Sequence, residues 1–141
     1  MYPDGLDLLV VDNDAARRRQ IEHILAAEGF SVTGAAEGLA ALRLVRERRF
    51  ALLLAATALP GSLDGAETAR QARARQPWLR TLFIGAADAW PRRGSRDCDD
   101  FIAAPFHPSE LLGCVFELLH REPALTGLDP ARRYHAQLRA S

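Results

Sequence analysis

Apolar residues along the chain gather in five short runs, and between the runs they recur every three or four positions. Leu6–Val11 (LDLLVV) predicts a buried first strand. From Asp14 the period lengthens, and Ile21, Ile24 and Leu25 mark an amphipathic helix with Asp14 as N-cap and Gly29 as its stop. Phe30–Thr33 predicts a second strand, and Glu37–Arg48 a helix whose apolar stripe is Leu39, Leu42 and Val45. Phe50–Ala56 (FALLLAA) is the most continuous apolar run, the signature of a central strand covered on both faces. The turn-rich Leu59–Gly65 loop follows, and Asp64 with Glu67 predicts a capping box opening an alanine-rich helix to about Arg75. Leu82–Ile84 and Phe101–Ala103 complete the strands. Pro108 suits the first turn of a last helix carrying Leu111, Leu112, Val115, Phe116, Leu118 and Leu119.

Strands alternating with helices across short loops predict an α/β fold, a parallel sheet with helices on both faces. In such sheets ligand chemistry belongs at the carboxyl ends of the strands. Composition narrows the function. The chain has 141 residues, 48% hydrophobic and 26% charged, the balance of one ordinary globular domain. Eighteen basic and 18 acidic side chains give zero formal charge, which argues against nucleic acid as the main partner. No apolar run reaches membrane-spanning length, and Met1–Gly5 does not read as a signal peptide. Cys98 and Cys114 have no CxxC spacing and read as reduced thiols of a cytoplasmic protein, Cys114 in the core and Cys98 in an irregular segment. His23, His107, His120 and His135 lack metal-ligand spacing.

Three segments in order, LLVVDND (8–14), ALPGSLDG (58–65) and DFIAAPF (100–106), resemble the response-regulator receiver (CheY-like) family of bacterial two-component signalling. The resemblance runs from about Leu6 to Arg121. It implies a flavodoxin-like three-layer sandwich with strand order 2-1-3-4-5. It also implies an acidic pair after the first strand, a phosphoacceptor aspartate after the third, a Ser or Thr after the fourth and a lysine after the fifth. In that chemistry clustered carboxylates hold Mg²⁺, the aspartate is the nucleophile, and the hydroxyl and lysine grip the phosphoryl group.

Position by position, Asp12 matches the first acidic site, while the second falls on Asn13 with Asp14 beside it. The phosphoacceptor site, four residues before Pro60, falls on Ala56, the hydroxyl site on Gly85, and the lysine site before Pro105 on Ala104. Alanine cannot accept a phosphoryl group. The chain therefore reads as a pseudo-receiver with no catalytic residue, not an enzyme, and with no cofactor. Asp12 and Asp14 are weak Mg²⁺ candidates, better explained as a turn residue and a helix cap.

The place of the family's fourth helix is taken by Asp88–Ser95, where Pro91 and Gly94 predict a short or irregular element. Trp90, Arg92 and Arg93 there, with Phe101 at the position resembling the switch aromatic, are the candidate interaction residues. Residues 1–121 form the receiver-like domain, and 122–141 an extension in which Asp129-Pro130-Ala131 could start a short helix. The expected function is phosphorylation-independent binding of a protein: a histidine kinase, another regulator, an output domain or a second copy as a homodimer. One rival is a small-ligand sensor using the emptied pocket over Ala56, Gly85 and Ala104. Another is a residual phosphoacceptor among Thr57, Ser62 and Asp64.

Overall fold

The alternating pattern folds as its period requires. The computed structural model describes residues 6–88 and 100–120. The described elements run β1 (Asp7–Val11), α1 (Ala15–Ala27), β2 (Ser31–Ala35), α2 (Gly38–Glu47), β3 (Leu52–Ala56), α3 (Gly65–Arg75), β4 (Arg80–Gly85), β5 (Asp100–Ala103) and α4 (Pro108–His120). The strands form one parallel sheet of order β2-β1-β3-β4-β5.

Because successive strand side chains point to opposite faces, the sheet divides the core in two. Leu8, Val10, Leu52, Leu54, Leu82 and Ile84 pack with Ile21 and Leu25 of α1 and Leu111, Val115, Leu118 and Leu119 of α4. Leu9, Val11, Leu53, Ala55 and Phe83 pack with Ala41, Leu42 and Val45 of α2 and Ala69 and Ala72 of α3. All five residues of β3 are buried, as expected of the middle strand.

Helix ends follow local chemistry. The Asp14 carboxylate accepts from the Ala16 and Arg17 amides at 3.0 and 3.1 Å, a cap that contributes about 1 kcal/mol. After α1 the chain turns at Gly29 with φ 97°, a conformation that excludes most side chains. Asp64 caps α3 through the Glu67 amide at 2.8 Å. The expected reciprocal half of that capping box is not made, because the Glu67 carboxylate bonds to Arg70 and Gln71 instead. These bonds pull its pKa down to about 2.

Three other sequence expectations need correction. Leu39 is 53% exposed, and Ala41 takes its place beside Leu42 and Val45 on the buried stripe of α2. The second strand begins after Phe30 and extends to Ala35, since Phe30 turns its ring towards Phe116, 6.2 Å between centroids. The fourth strand is longer than its apolar centre, running from Arg80 to Gly85. Trp90, Arg92, Arg93, Cys98, His135, most of the Asp88–Ser95 segment and the 122–141 extension lie outside the described residues.

Candidate functional site at the carboxyl ends of the strands

β1 delivers Asp12 to the carboxyl edge of the sheet, where its amide donates to the Ala35 carbonyl at 3.0 Å and the residue is only 2% exposed. A carboxylate this buried needs partners for both oxygens. Oδ1 accepts from the Asp14 amide at 2.9 Å and from Arg17 Nη2 at 3.0 Å. Oδ2 accepts from Arg17 Nε at 2.5 Å. The guanidinium is thus held in a two-point fork, and Arg18 Nη1 adds a bond to the Asp12 carbonyl at 2.7 Å. Hydrogen bonding to Asp12, reinforced by its charge, raises the Arg17 pKa against the opposing effect of burial. Asp14 points elsewhere: its carboxylate is engaged with the α1 amides, and Asn13 is exposed.

Arg17 escaped the sequence reading, although a signal was present. The first turn of a helix presents free N–H groups and disfavours cations, and the first turn of α1 carries Arg17 and Arg18 with no acidic residue. A cation in so unfavourable a place implies a local anion, and Asp12 is that anion.

Ala56 ends β3 and is 1% exposed. Thr57 follows, its amide donating to the Ile84 carbonyl at 2.9 Å. The Thr57 side chain lies over Gly85, the last residue of β4. A β-carbon at Gly85 would stand 2.2 Å from Thr57 Oγ1 and 3.2 Å from its Cβ and Cγ2. Thr57 therefore fills the space that a larger residue at position 85 would need. The Ala104 amide donates to the Gly85 carbonyl at 2.8 Å, and the Ala104–Pro105 peptide is cis. Between this turn and α1 opens a cleft of about 450 Å³, lined by Asp14, Ala16, Arg17, Gln20, Ala104 and Phe106 among others. Ala56 and Gly85 do not line it.

The remaining candidates scatter. Phe101 is half-buried on the α2–α3 side of the sheet. Ser62 is exposed, and Asp64 is occupied as the cap of α3. His23, His107 and His120 are exposed, with His107 Nδ1 2.8 Å from Ser109 Oγ. Cys114 is half-buried against the core, and burial together with the nearby Asp100 carboxylate pushes its thiol up to about 11. Among the described residues no group of three or more His, Cys, Asp or Glu side chains is placed to hold a metal ion.

Residues 8–116 match the family model described as the response regulator receiver domain. The chain belongs to that family. Its sequence is 35% identical over 133 residues to the response regulator MprA of a Mycobacterium species (strain KMS), covering 86% of this chain and 57% of the relative. It is 36% identical over 118 residues to MprA of Mycobacterium leprae, covering 81% and 51%. The chain thus spans about half the length of the curated relatives it matches. The receiver domain of NtrX from Brucella abortus superposes with a TM-score of 0.73 at 27% identity, covering 82% of this chain and all of that one. The fold is shared with TrrA of Thermotoga maritima, solved with Mg²⁺ and beryllofluoride, at a TM-score of 0.73 and 24% identity over 80% of this chain and 98% of that one. This two-component receiver domain has no helix, among the described residues, long and apolar enough to cross a membrane.

Proposed function

We propose that this receiver domain works without phosphotransfer, as a constitutive protein-interaction module of a cytoplasmic two-component pathway, and that it catalyses nothing itself. One observation carries the reading. Both oxygens of Asp12 are taken by Arg17 and the Asp14 amide, beside a β3 terminus, Ala56, that offers no nucleophile. Receiver chemistry uses Mg²⁺, and the donor set here does not fit it. Mg²⁺ demands near-octahedral oxygen ligation, usually with one or two carboxylates, whereas Asn13 is uncharged, Asp14 caps α1 and Ala56 supplies no side-chain oxygen. Arg17 serves Asp12 as a built-in counter-ion, so the loop after β1 keeps its shape with no metal and no phosphoryl group.

The partner is a histidine kinase, another regulator or an output domain. Phe101 with Trp90, Arg92 and Arg93 are the residues proposed to meet it, and a homodimer through the same face is a competing use of that surface. The small-ligand reading is weaker, because Thr57 fills the ground over Gly85 and the neighbouring cleft opens towards α1 rather than over Ala56. The test is incubation with acetyl phosphate and Mg²⁺, followed by intact-mass measurement. The expected spectrum shows the unmodified chain alone. A stoichiometric phosphoryl adduct that hydroxylamine removes would be an acyl phosphate and would overturn the proposal. An adduct stable to hydroxylamine and mapped to Thr57 or Ser62 would revive the residual phosphoacceptor.

A further inference from the structure

The opposite, amino edge of the sheet carries a second feature that the receiver chemistry does not use. Where α2 runs into β3 and α3 into β4, a groove of about 310 Å³ is lined by Arg46, Arg48, Arg49 and Arg75 with Gln76 and Trp78, and by one carboxylate, Glu47. Its floor is fixed. The Gln76 side chain, in a residue 4% exposed, donates to the Val45 and Arg48 carbonyls at 2.9 and 2.7 Å and accepts from the Phe50 amide at 3.0 Å. Trp78 Nε1 donates to the Phe50 carbonyl at 3.0 Å. The Arg49 guanidinium lies 4.9 Å from the centre of the Trp78 ring, and that of Arg48 5.3 Å from the Phe50 ring, within cation–π range.

A helix C-terminus favours a basic residue or two, which accounts for one cation at each helix end. It does not account for four arginines lining one groove, with Arg49 over the Trp78 ring. Arg48 is partly answered by Thr33 Oγ1 at 2.6 Å and Asp7 at 3.8 Å. Arg46 and Arg75 are exposed and pair with no carboxylate among the described residues.

We propose that this groove docks an acidic, carboxylate-rich segment of a partner protein. Four arginines lining one groove with an indole match carboxylates in charge, and Arg and Trp are among the residues that most often anchor protein interfaces. A nucleic acid fits less well. It asks for a long basic track, whereas this groove is short, contains Glu47, and belongs to a chain of zero net charge. The groove lies at the far edge of the sheet from Asp12, so the inference stands independently of the phosphotransfer reading.

The test is a titration of the full chain with an octaglutamate peptide, read on the Trp78 indole and arginine Nε resonances, beside a parallel titration with an oligothymidylate of equal charge. Saturable shifts at Trp78 are expected, with affinity falling about tenfold on going from low to physiological salt. Arg46→Glu with Arg75→Glu, both exposed positions, should weaken binding by at least about tenfold while leaving the sheet amides unmoved. An unmoved Trp78 indole, or equal affinity in the doubly substituted chain, would overturn the proposal. Tighter binding of the oligothymidylate would also overturn it, in favour of a nucleic-acid surface.

Discussion

At the carboxyl edge of the sheet Arg17 closes on the buried Asp12, whereas at the amino edge Arg46 and Arg75 form no ion pair among the described residues, although Glu47 lines the same groove. The same side-chain type has two physical fates. Where a guanidinium meets a desolvated carboxylate in a two-point fork, the charges cancel locally and hold a loop in place. Where guanidinium groups crowd a rigid, exposed groove, the field extends into solvent and favours an anionic partner. One edge is electrostatically closed and the other open.

The largest expected effect breaks the closed edge. Arg17→Ala leaves Asp12 buried without its counter-charge and should cost about 2 kcal/mol, less than for a fully buried pair because Arg17 is partly solvated. Urea denaturation measures it, and Asp12→Asn in the Arg17→Ala background should recover part of the loss. Equal stability of Arg17→Ala and the unsubstituted chain would mean that the pair is ornamental. Next, Gln76→Leu removes the partners of three backbone groups under the basic groove, and a loss of about 2 kcal/mol is expected. The octaglutamate affinity should fall with it, since the arginines would lose their fixed mounting.

Gly85→Ser sharpens the account of the carboxyl edge. The new β-carbon meets Thr57, so a destabilisation of about 1–2 kcal/mol is expected, relieved when Thr57→Gly is added. A Gly85→Ser chain as stable as its parent would show that Thr57 gives way freely. The smallest effect concerns Glu67. Hydrogen bonds from Arg70 and Gln71 lower its pKa from 4.5 to about 2. A carboxylate whose folded pKa is depressed contributes stability above its unfolded pKa and loses it as pH falls through the folded one. Glu67→Gln should therefore flatten the acid limb of stability between 4.5 and about 2. The matching loss at neutral pH should be small, as should the flattening itself, because the pair is exposed and screened.

Much of this was legible in the residues. The unbroken apolar run ending at Ala56 marked the central strand, and Asp14, Gly29, Asp64 and Pro108 marked helix ends, because those signals are local. Leu39 misled, since a three-to-four spacing defines a stripe but not its rotation, and α2 turns Ala41 inward instead. Phe30 misled because an aromatic beside a strand reads like part of it until its contact with Phe116 in a distant helix is known. At the site, Ala56, Gly85 and Ala104 were assigned to the family's positions by register against motif landmarks, as the resemblance implies. The roles of Arg17 and Thr57 were not, because each is defined by a contact: Arg17 reaches back across the β1–α1 turn, and Thr57 crosses from β3 to β4. The basic groove was hidden for the same reason. Arg46–Arg49 and Arg75–Trp78 are far apart in sequence, and the parallel pairing of β3 with β4, together with the Gln76 and Trp78 bonds, brings them together.

This receiver domain is proposed to hold its site closed without metal or phosphoryl group. The most direct test is an amide-shift titration of the full chain with Mg²⁺ and then beryllofluoride. No saturable change at Asp12, Ala56, Gly85 or Ala104 is expected, with the Arg17 Nε resonance staying at its paired position throughout. Saturable shifts at those residues, with Arg17 released from Asp12, would contradict the claim and restore a metal-dependent receiver.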